Sequence, residues 1–238
     1  MSTPALYRGY RFTDPIISHC VWLYYRFNLS LRDVQEIMAM DGVSVSHETI
    51  RQWCRKFGPR FAEELRRRRA PPADKWHCDE VQVKINGRTY YLWRAVDRDG
   101  IELSILVQER RNKDAACAFL RHALRTVTVT PRVVVTDKLC SYGAALREML
   151  PGVEHRQHKG LNNRAENSHQ PTRRRERGLQ GFKSAEHAQC FLEPFGQVGN
   201  HFRLRRHLLC ADQRRALMNE CFHIWHEVTA TAAPCALS

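Results

Sequence analysis

The chain has 238 residues, with 38 Lys and Arg against 25 Asp and Glu, a formal charge of +13 and a pI near 9.7. That length suffices for one sizeable core plus a small satellite domain, and the positive excess points to a polyanionic partner, with an inert basic surface as the plain alternative. No apolar run reaches the ~18 residues of a membrane span, no signal segment opens the chain, and nine scattered cysteines without a Cys-x-x-Cys pair argue against a disulfide framework and a structural zinc site. A cytosolic protein is expected.

The first seventy residues read as helices. Pro15 starts an apolar-periodic run, Ile16, Ile17, Cys20, Val21, Leu23, Tyr24 and Phe27, closed by Asn28. Ser30 then caps a helix over 31–40, Asp41-Gly42 makes a turn, and Ser46 caps a helix over 47–57. On that last helix Ile50, Trp53, Cys54 and Phe57 share an inward face, while Thr49, Arg51, Gln52, Arg55 and Lys56 point outward. The pattern matches a helix-turn-helix whose second helix would enter a major groove, against the alternative of an ordinary three-helix bundle with a solvated basic face. Arg66, Arg67, Arg68 and Arg69, followed by Ala70-Pro71-Pro72-Ala73-Asp74, read as a charged helix end and a stiff linker.

Strands follow. Residues 75–85, 90–97 and 101–109 are separated by Asn86-Gly87 and Asp99-Gly100, both hairpin signals. A helix is expected over 112–127, a short buried strand over 132–137, a helix over 144–150, a short strand over 153–157, and mostly helix thereafter. This is the order of an RNase H-like domain: an α/β fold with a mixed five-stranded sheet flanked by helices, preceded by a small all-α domain. The expected divisions are 1–69 for the helix-turn-helix domain, 70–75 for the linker, 76–208 for the catalytic domain and 209–238 for a helical tail.

Three acidic residues stand at informative places. Alternation along 75–85 puts Asp79 on the face of Val81, Val83 and Ile85, and leaves Glu80 on the other face as a solvated neighbour. Asp137 closes the most buried strand, where open α/β sheets bind ligands, and Glu166 lies on the next helical region. Two Asp and one Glu are hard oxygen ligands suited to magnesium, and two such ions ~4 Å apart serve in-line displacement at phosphorus. Basic residues crowd Glu166: Arg164, Arg173, Arg174, Arg175, Arg177 and Lys183. Arg173 follows Glu166 by seven helical steps and shares its face, with Pro171 expected to kink the helix or start it. Lys138 and Tyr142 are placed to contact a nucleic-acid backbone, with surface packing as the alternative. Trp76 and Trp93 are read as core aromatics, Cys78 and Cys140 as small packing residues, and His155, His158 and Glu154 as weak candidates for zinc.

The segments Trp76-His77-Cys78-Asp79-Glu80, Tyr91-Leu92-Trp93-Arg94-Ala95-Val96-Asp97, Thr136-Asp137-Lys138, Tyr142-Gly143, Glu154-His155-Arg156-Gln157 and Asn162-Asn163-Arg164-Ala165-Glu166-Asn167 closely resemble the DDE transposases of small bacterial insertion sequences. The resemblance runs from about Tyr10 to His207. It implies a metal-binding catalytic triad of Asp79, Asp137 and Glu166, with Arg173 as the basic residue that follows the glutamate. It also implies magnesium, or manganese in its place, as two ions. The implied partners are double-stranded DNA, as terminal inverted repeats and target, and at least a second copy of the chain on DNA, with no membrane and no small-molecule substrate. The implied location is the bacterial cytoplasm, at the nucleoid. DNA contacts are expected from Arg51, Gln52, Arg55, Lys56, Arg66, Arg67, Arg68, Arg69, Lys138, Arg164, Arg173 and Arg174. A catalytically inactive DNA-binding derivative and an RNase H-like nuclease are the alternatives.

Overall fold

The computed structural model describes residues 5–127, 129–158, 162–204 and 209–231. His207, where the resemblance ends, and the tail residues 232–238 with Cys235 lie outside them. The chain divides into two compact units, Met1–Arg69 with Pro194–Ser238, and Ala70–Glu193.

In the first unit, α1 (Asp14–Arg26), α2 (Leu31–Met40) and α3 (His47–Arg68) follow the capping signals. Ser30 and Asp33 bond reciprocally to each other's backbone N–H, and Ser46 accepts from the Thr49 N–H at 3.2 Å. Helix α3 does not stop at the expected Phe57 but runs on through Gly58 and Pro59 to Arg68. Its buried stripe continues through Phe61, Ala62 and Leu65, and burial of that stripe outweighs the hydrogen bond lost at Pro59. Gly58 is what permits close packing there, because a Cβ on it would lie 2.6 Å from the Tyr25 ring. The Tyr25 hydroxyl donates to the Cys54 carbonyl at 3.1 Å, in the same stretch.

The residues expected to form the C-terminal helical tail are grouped with these helices. Helix α8 (Ala211–Thr231) supplies Phe222 and Trp225 to an aromatic cluster, with Trp22 to Phe222 at 5.2 Å and Phe61 to Trp225 at 5.4 Å between ring centroids. The Tyr7 hydroxyl donates to the Thr229 carbonyl at 2.8 Å. A helix carrying buried aromatics cannot stand alone in water, and this cluster is where its apolar positions go.

The second unit is built on one sheet in the order β3-β2-β1-β4-β5. Strands β1 (Lys75–Ile85), β2 (Arg88–Asp97) and β3 (Glu102–Gln108) are antiparallel, while β4 (Val133–Thr136) and β5 (Glu154–Gln157) run parallel to β1. Asn86 and Gly87 have φ of 50° and 77°, the paired positive values of a tight hairpin turn. Helices α4 (Lys113–Thr126) and α5 (Cys140–Met149) provide Phe119, Leu120, Tyr142 and Leu146 to a core closed by Trp76, Cys78 and Trp93. Three antiparallel strands followed by helix-linked parallel strands make an RNase H-like sheet.

Two features close the unit. Helices α6 (Asn163–Gly178) and α7 (Ala185–His201) follow β5. At the β3 edge, Gln189 of α7 accepts from the Val107 N–H at 2.9 Å and donates to the Ile105 carbonyl at 3.0 Å. Helix α5 starts at Cys140, earlier than the expected 144, because the Asp137 carboxylate accepts from the Leu139 N–H at 2.9 Å and turns the chain at once. That early start leaves Cys140 exposed, where packing was expected, and swings Tyr142 fully into the core against Trp93 at 5.3 Å. Tyr142 is therefore not a substrate contact.

Candidate metal centre

Register alone brings the first two acids together. In the parallel pair of β1 with β4, His77 stands opposite Val135, so two residues further along each strand are Asp79 and Asp137. The first half of β1 is covered on both faces, with Trp76, His77 and Cys78 all buried. Its next two side chains emerge at the rim, Asp79 toward α6 and Glu80 toward the loop that precedes α4. Ligand oxygens of Asp79, Glu80 and Asp137 all lie within 4.8 Å of one another.

Glu80 is not the solvated neighbour that alternation predicts. Its side chain is only 1% exposed, and Oε1 accepts from Arg111 Nε at 2.6 Å and Nη2 at 2.5 Å. The reason is visible in parity: Glu80 shares its face with Trp76 and Cys78, which point into the α4–α5 core. Arg111 also brings Nη2 to 3.9 Å from Asp137 Oδ2. Burial, and then Asp137, pushes the Asp79 carboxyl up to about 6, against the Glu80 N–H and the charges of Arg111 and Arg173. The same two causes push Glu80 up to about 7, with Arg111 again opposing.

Helix α6 is held to the sheet by its inward face. Asn162, at its start, donates to the Cys78 carbonyl at 2.9 Å. Arg94 of β2, buried, sits 3.1 Å from Glu102 and donates to the Thr172 hydroxyl and to the Ser168 carbonyl. Buried His169 places Nε2 3.3 Å from Asp79 Oδ2, and burial together with Arg94 and Arg173 holds its pKa well below the usual value, so the ring is neutral. Pro171 neither starts nor ends the helix, which runs unbroken from Asn163 to Gly178. Its anchored inward face compensates the missing N–H. Glu166 and Arg173, two turns apart and exposed, accordingly line one cleft of about 390 Å³ with Asp79, Glu80 and His169. Glu166 is across this cleft rather than inside the 4.8 Å group.

The other expected contacts are spread out. On α3, Arg51, Gln52, Arg55 and Lys56 are exposed, with Arg51 at 3.0 Å from Glu48 and the Lys56 ammonium 4.7 Å above the Tyr10 ring. The arginine run is not a free row of charges: Arg67 pairs with Glu63 at 2.6 Å and Glu64 at 2.9 Å, Arg68 with Glu227 at 2.6 Å, and Arg69 donates to Gln197 at 3.3 Å. Arg66 is half-buried. Lys138, Arg164 and Arg174 are exposed, whereas Arg175 is buried with its guanidinium 5.3 Å from the Phe191 ring. His155 Nε2 hydrogen-bonds the Thr136 hydroxyl at 2.9 Å, and His155 is not among the described residues that gather as a metal-binding group.

Sequence reasoning missed Glu80, Arg111, Arg94 and His169. Arg94 carried a signal, a lone charge inside the apolar run Tyr91-Leu92-Trp93-Arg94-Ala95-Val96. Glu80 carried one too, its parity with Trp76. Arg111 and His169 carried none. The donor set fits a divalent ion, since it consists of carboxylate oxygens gathered within 4.8 Å of one another.

Residues 73–205 match the family model of the DDE domain of IS240-type transposases. The transposase of insertion sequence-like element IS431mec from Staphylococcus aureus is 29% identical over 185 residues, 76% of this chain and 82% of that protein. The transposase of element IS257 in transposon Tn4003, also from Staphylococcus aureus, matches with the same identity and coverage. An uncharacterized protein of Yersinia pseudotuberculosis is 35% identical over 77 residues, 32% of this chain and 72% of that one. The catalytic core domain of HTLV-2 integrase, solved in complex with magnesium, aligns over 63% of this chain and 99% of that chain, at 14% identity and a TM-score of 0.41, an overlap too loose to add to the strand order.

Proposed function

Because this chain belongs to the DDE transposases of insertion sequences, we propose that it binds the terminal inverted repeats of its element and catalyses magnesium-dependent cleavage and strand transfer with Asp79, Asp137 and Glu166. The observation that carries the reading is the meeting of Asp79 and Asp137 at the ends of neighbouring parallel strands, with Glu166 lining a cleft that Asp79 also lines. Two divalent ions held by these carboxylates, magnesium by donor type or manganese in its place, would supply Lewis-acid stabilisation of the attacking and leaving oxygens.

The residues around them define the rest. Arg173 at the cleft wall offers a fixed positive charge to a phosphate, two helical turns from Glu166. Neutral His169 backs Asp79 without cancelling its charge. Arg94 and Asn162 fix the helix that carries Glu166. The 1–69 helices serve as the sequence reader, with Arg51, Gln52, Arg55 and Lys56 on the outward face of α3. Lys138, Arg164 and Arg174 add backbone contacts around the cleft. Two element ends have to be held at once, so the acting form is a homodimer or larger assembly on double-stranded DNA.

The test is strand transfer of a labelled duplex bearing the element's terminal repeat, with magnesium and with Glu166→Gln in parallel. Metal-dependent joining by the wild type and its loss in the variant, with repeat binding retained, is the expected result. Joining that survives Glu166→Gln would overturn the triad, and binding without cutting by either protein would leave a DNA-binding derivative.

A further inference from the structure

Three carboxylates within 4.8 Å carry more negative charge than one divalent ion neutralises, yet a fourth group already stands among them. Arg111 places two nitrogens on Glu80 Oε1, at 2.6 and 2.5 Å, and one of them is 3.9 Å from Asp137 Oδ2. The Glu80 side chain is only 1% exposed, with the Tyr142 hydroxyl beside it. Arg111 itself is 43% exposed, on the loop just ahead of the α4 N-cap Asn112, so its side chain is held by charge rather than by packing.

We propose that Arg111 is the resident cation of this centre: it neutralises Glu80, so that Asp79 and Asp137 present the charge that an incoming divalent ion meets, and it thereby sets how tightly that ion binds. Glu80 is the positioning residue for Arg111. The inference rests on the reading of Asp79 and Asp137 as metal ligands.

Charge arithmetic gives it opposite signs that a merely structural ion pair would not produce. With Arg111 seated and the titration run at pH 8.5, above the raised values of about 6 for Asp79 and about 7 for Glu80, the three carboxylates and one guanidinium sum to two negative charges. Arg111→Gln leaves three, with Glu80 free to join the ligand set, and binding tightens by about tenfold. Glu80→Gln releases Arg111 toward Asp137, 3.9 Å away, leaving one net negative charge, and binding weakens by about tenfold. The double variant restores two negative charges and returns the affinity to near that of the wild type. Arg111→Lys keeps the charge and stays within about threefold of the wild type.

The experiment is calorimetric titration of manganese into the full chain without DNA, for the wild type, these four variants and Asp79→Asn as the site control, each checked for a cooperative melt. Tightening in Arg111→Gln, weakening in Glu80→Gln and recovery in the double variant are the expected results. Single substitutions that shift affinity in the same direction, or an Arg111→Lys variant that tightens as much as Arg111→Gln, would overturn the resident-cation role while leaving the metal centre intact. If Arg111→Gln fails to melt cooperatively, Arg111→Lys, Glu80→Gln and the double variant decide by the same signs. A wild type with no manganese binding that Asp79→Asn removes would overturn the metal centre itself, and this role with it.

Discussion

Replacing Asp79 with Asn is expected to abolish strand transfer and yet to stabilise the protein in the absence of metal. The folded-state pKa of Asp79 is raised from 3.8 to about 6, first by burial and then by Asp137. At ~1.4 kcal/mol per unit, holding the carboxylate ionised at pH 8 costs about 3 kcal/mol. The side chain keeps 13% exposure, and an amide must still fit beside His169, so about half of that, 1–2 kcal/mol, is the gain expected from Asn. For a unit of this size it corresponds to about 3–6 °C in Tm. Because the folded pKa lies above the unfolded one, the cost is nearly absent below pH ~3, where both states are protonated, and grows as pH rises to ~6. The Asn advantage should therefore shrink to about a third by pH 4.5. Thermal melts in EDTA at pH 8 and pH 4.5 read this directly, and added magnesium should reverse the ranking at pH 8. A lower Tm for the variant at pH 8 in EDTA, or a difference that acid leaves unchanged, would refute the electrostatic account.

Three other substitutions probe the frame. Arg94→Met strands Glu102 and frees α6, so urea unfolding should lose about 3–5 kcal/mol, with part of it recovered by adding Glu102→Gln; a loss below about 1 kcal/mol would show that α6 is held by other means. Gly58→Ala drives a Cβ to 2.6 Å from the Tyr25 ring and should cost about 1–3 kcal/mol in the same assay, less when Tyr25 is shortened to Leu. In repeat-binding titrations, Arg55→Ala should relax sequence preference by about 1–3 kcal/mol. Arg67→Ala, already paired with Glu63 and Glu64, should change affinity by about 0.5 kcal/mol or less, and an Arg55→Ala loss that is equal on repeat and random DNA would mark Arg55 as a phosphate contact.

What the sequence revealed of this molecule follows the range of its signals. Local chemistry was readable: Asn86-Gly87 takes the positive φ pair of a tight hairpin, and Ser30 and Ser46 cap as written. The five strands and their order with the helices were equally visible, because hydrophobic period switches at each boundary. Helix α3 runs past the expected end at Phe57 because its continuation is set by packing, Tyr25 against Gly58, that joins residues 33 apart in the chain. Glu80 was misassigned because alternation assumes one wet face, and β1 lies mid-sheet with both faces covered over its first half. Asp79 and Asp137 were found as residue types at strand ends, but their adjacency depends on parallel register, which no single segment encodes. Arg111 came from a loop whose course the sequence does not fix. The docking of α8 on Trp22 and Phe61 joins opposite ends of the chain, and amphipathic pattern tells that a helix needs a partner without telling which.

The glutamine on the β3 margin has a wider consequence. With one amide it presents both a donor and an acceptor to the Val107 and Ile105 backbone, imitating a residue of a further strand while offering no strand beyond. Among the described residues the β3 margin carries this side-chain cap, whereas β5, the other outer strand, is mostly exposed. Any assembly by strand addition, whether productive pairing or aggregation, is given a direction by that asymmetry.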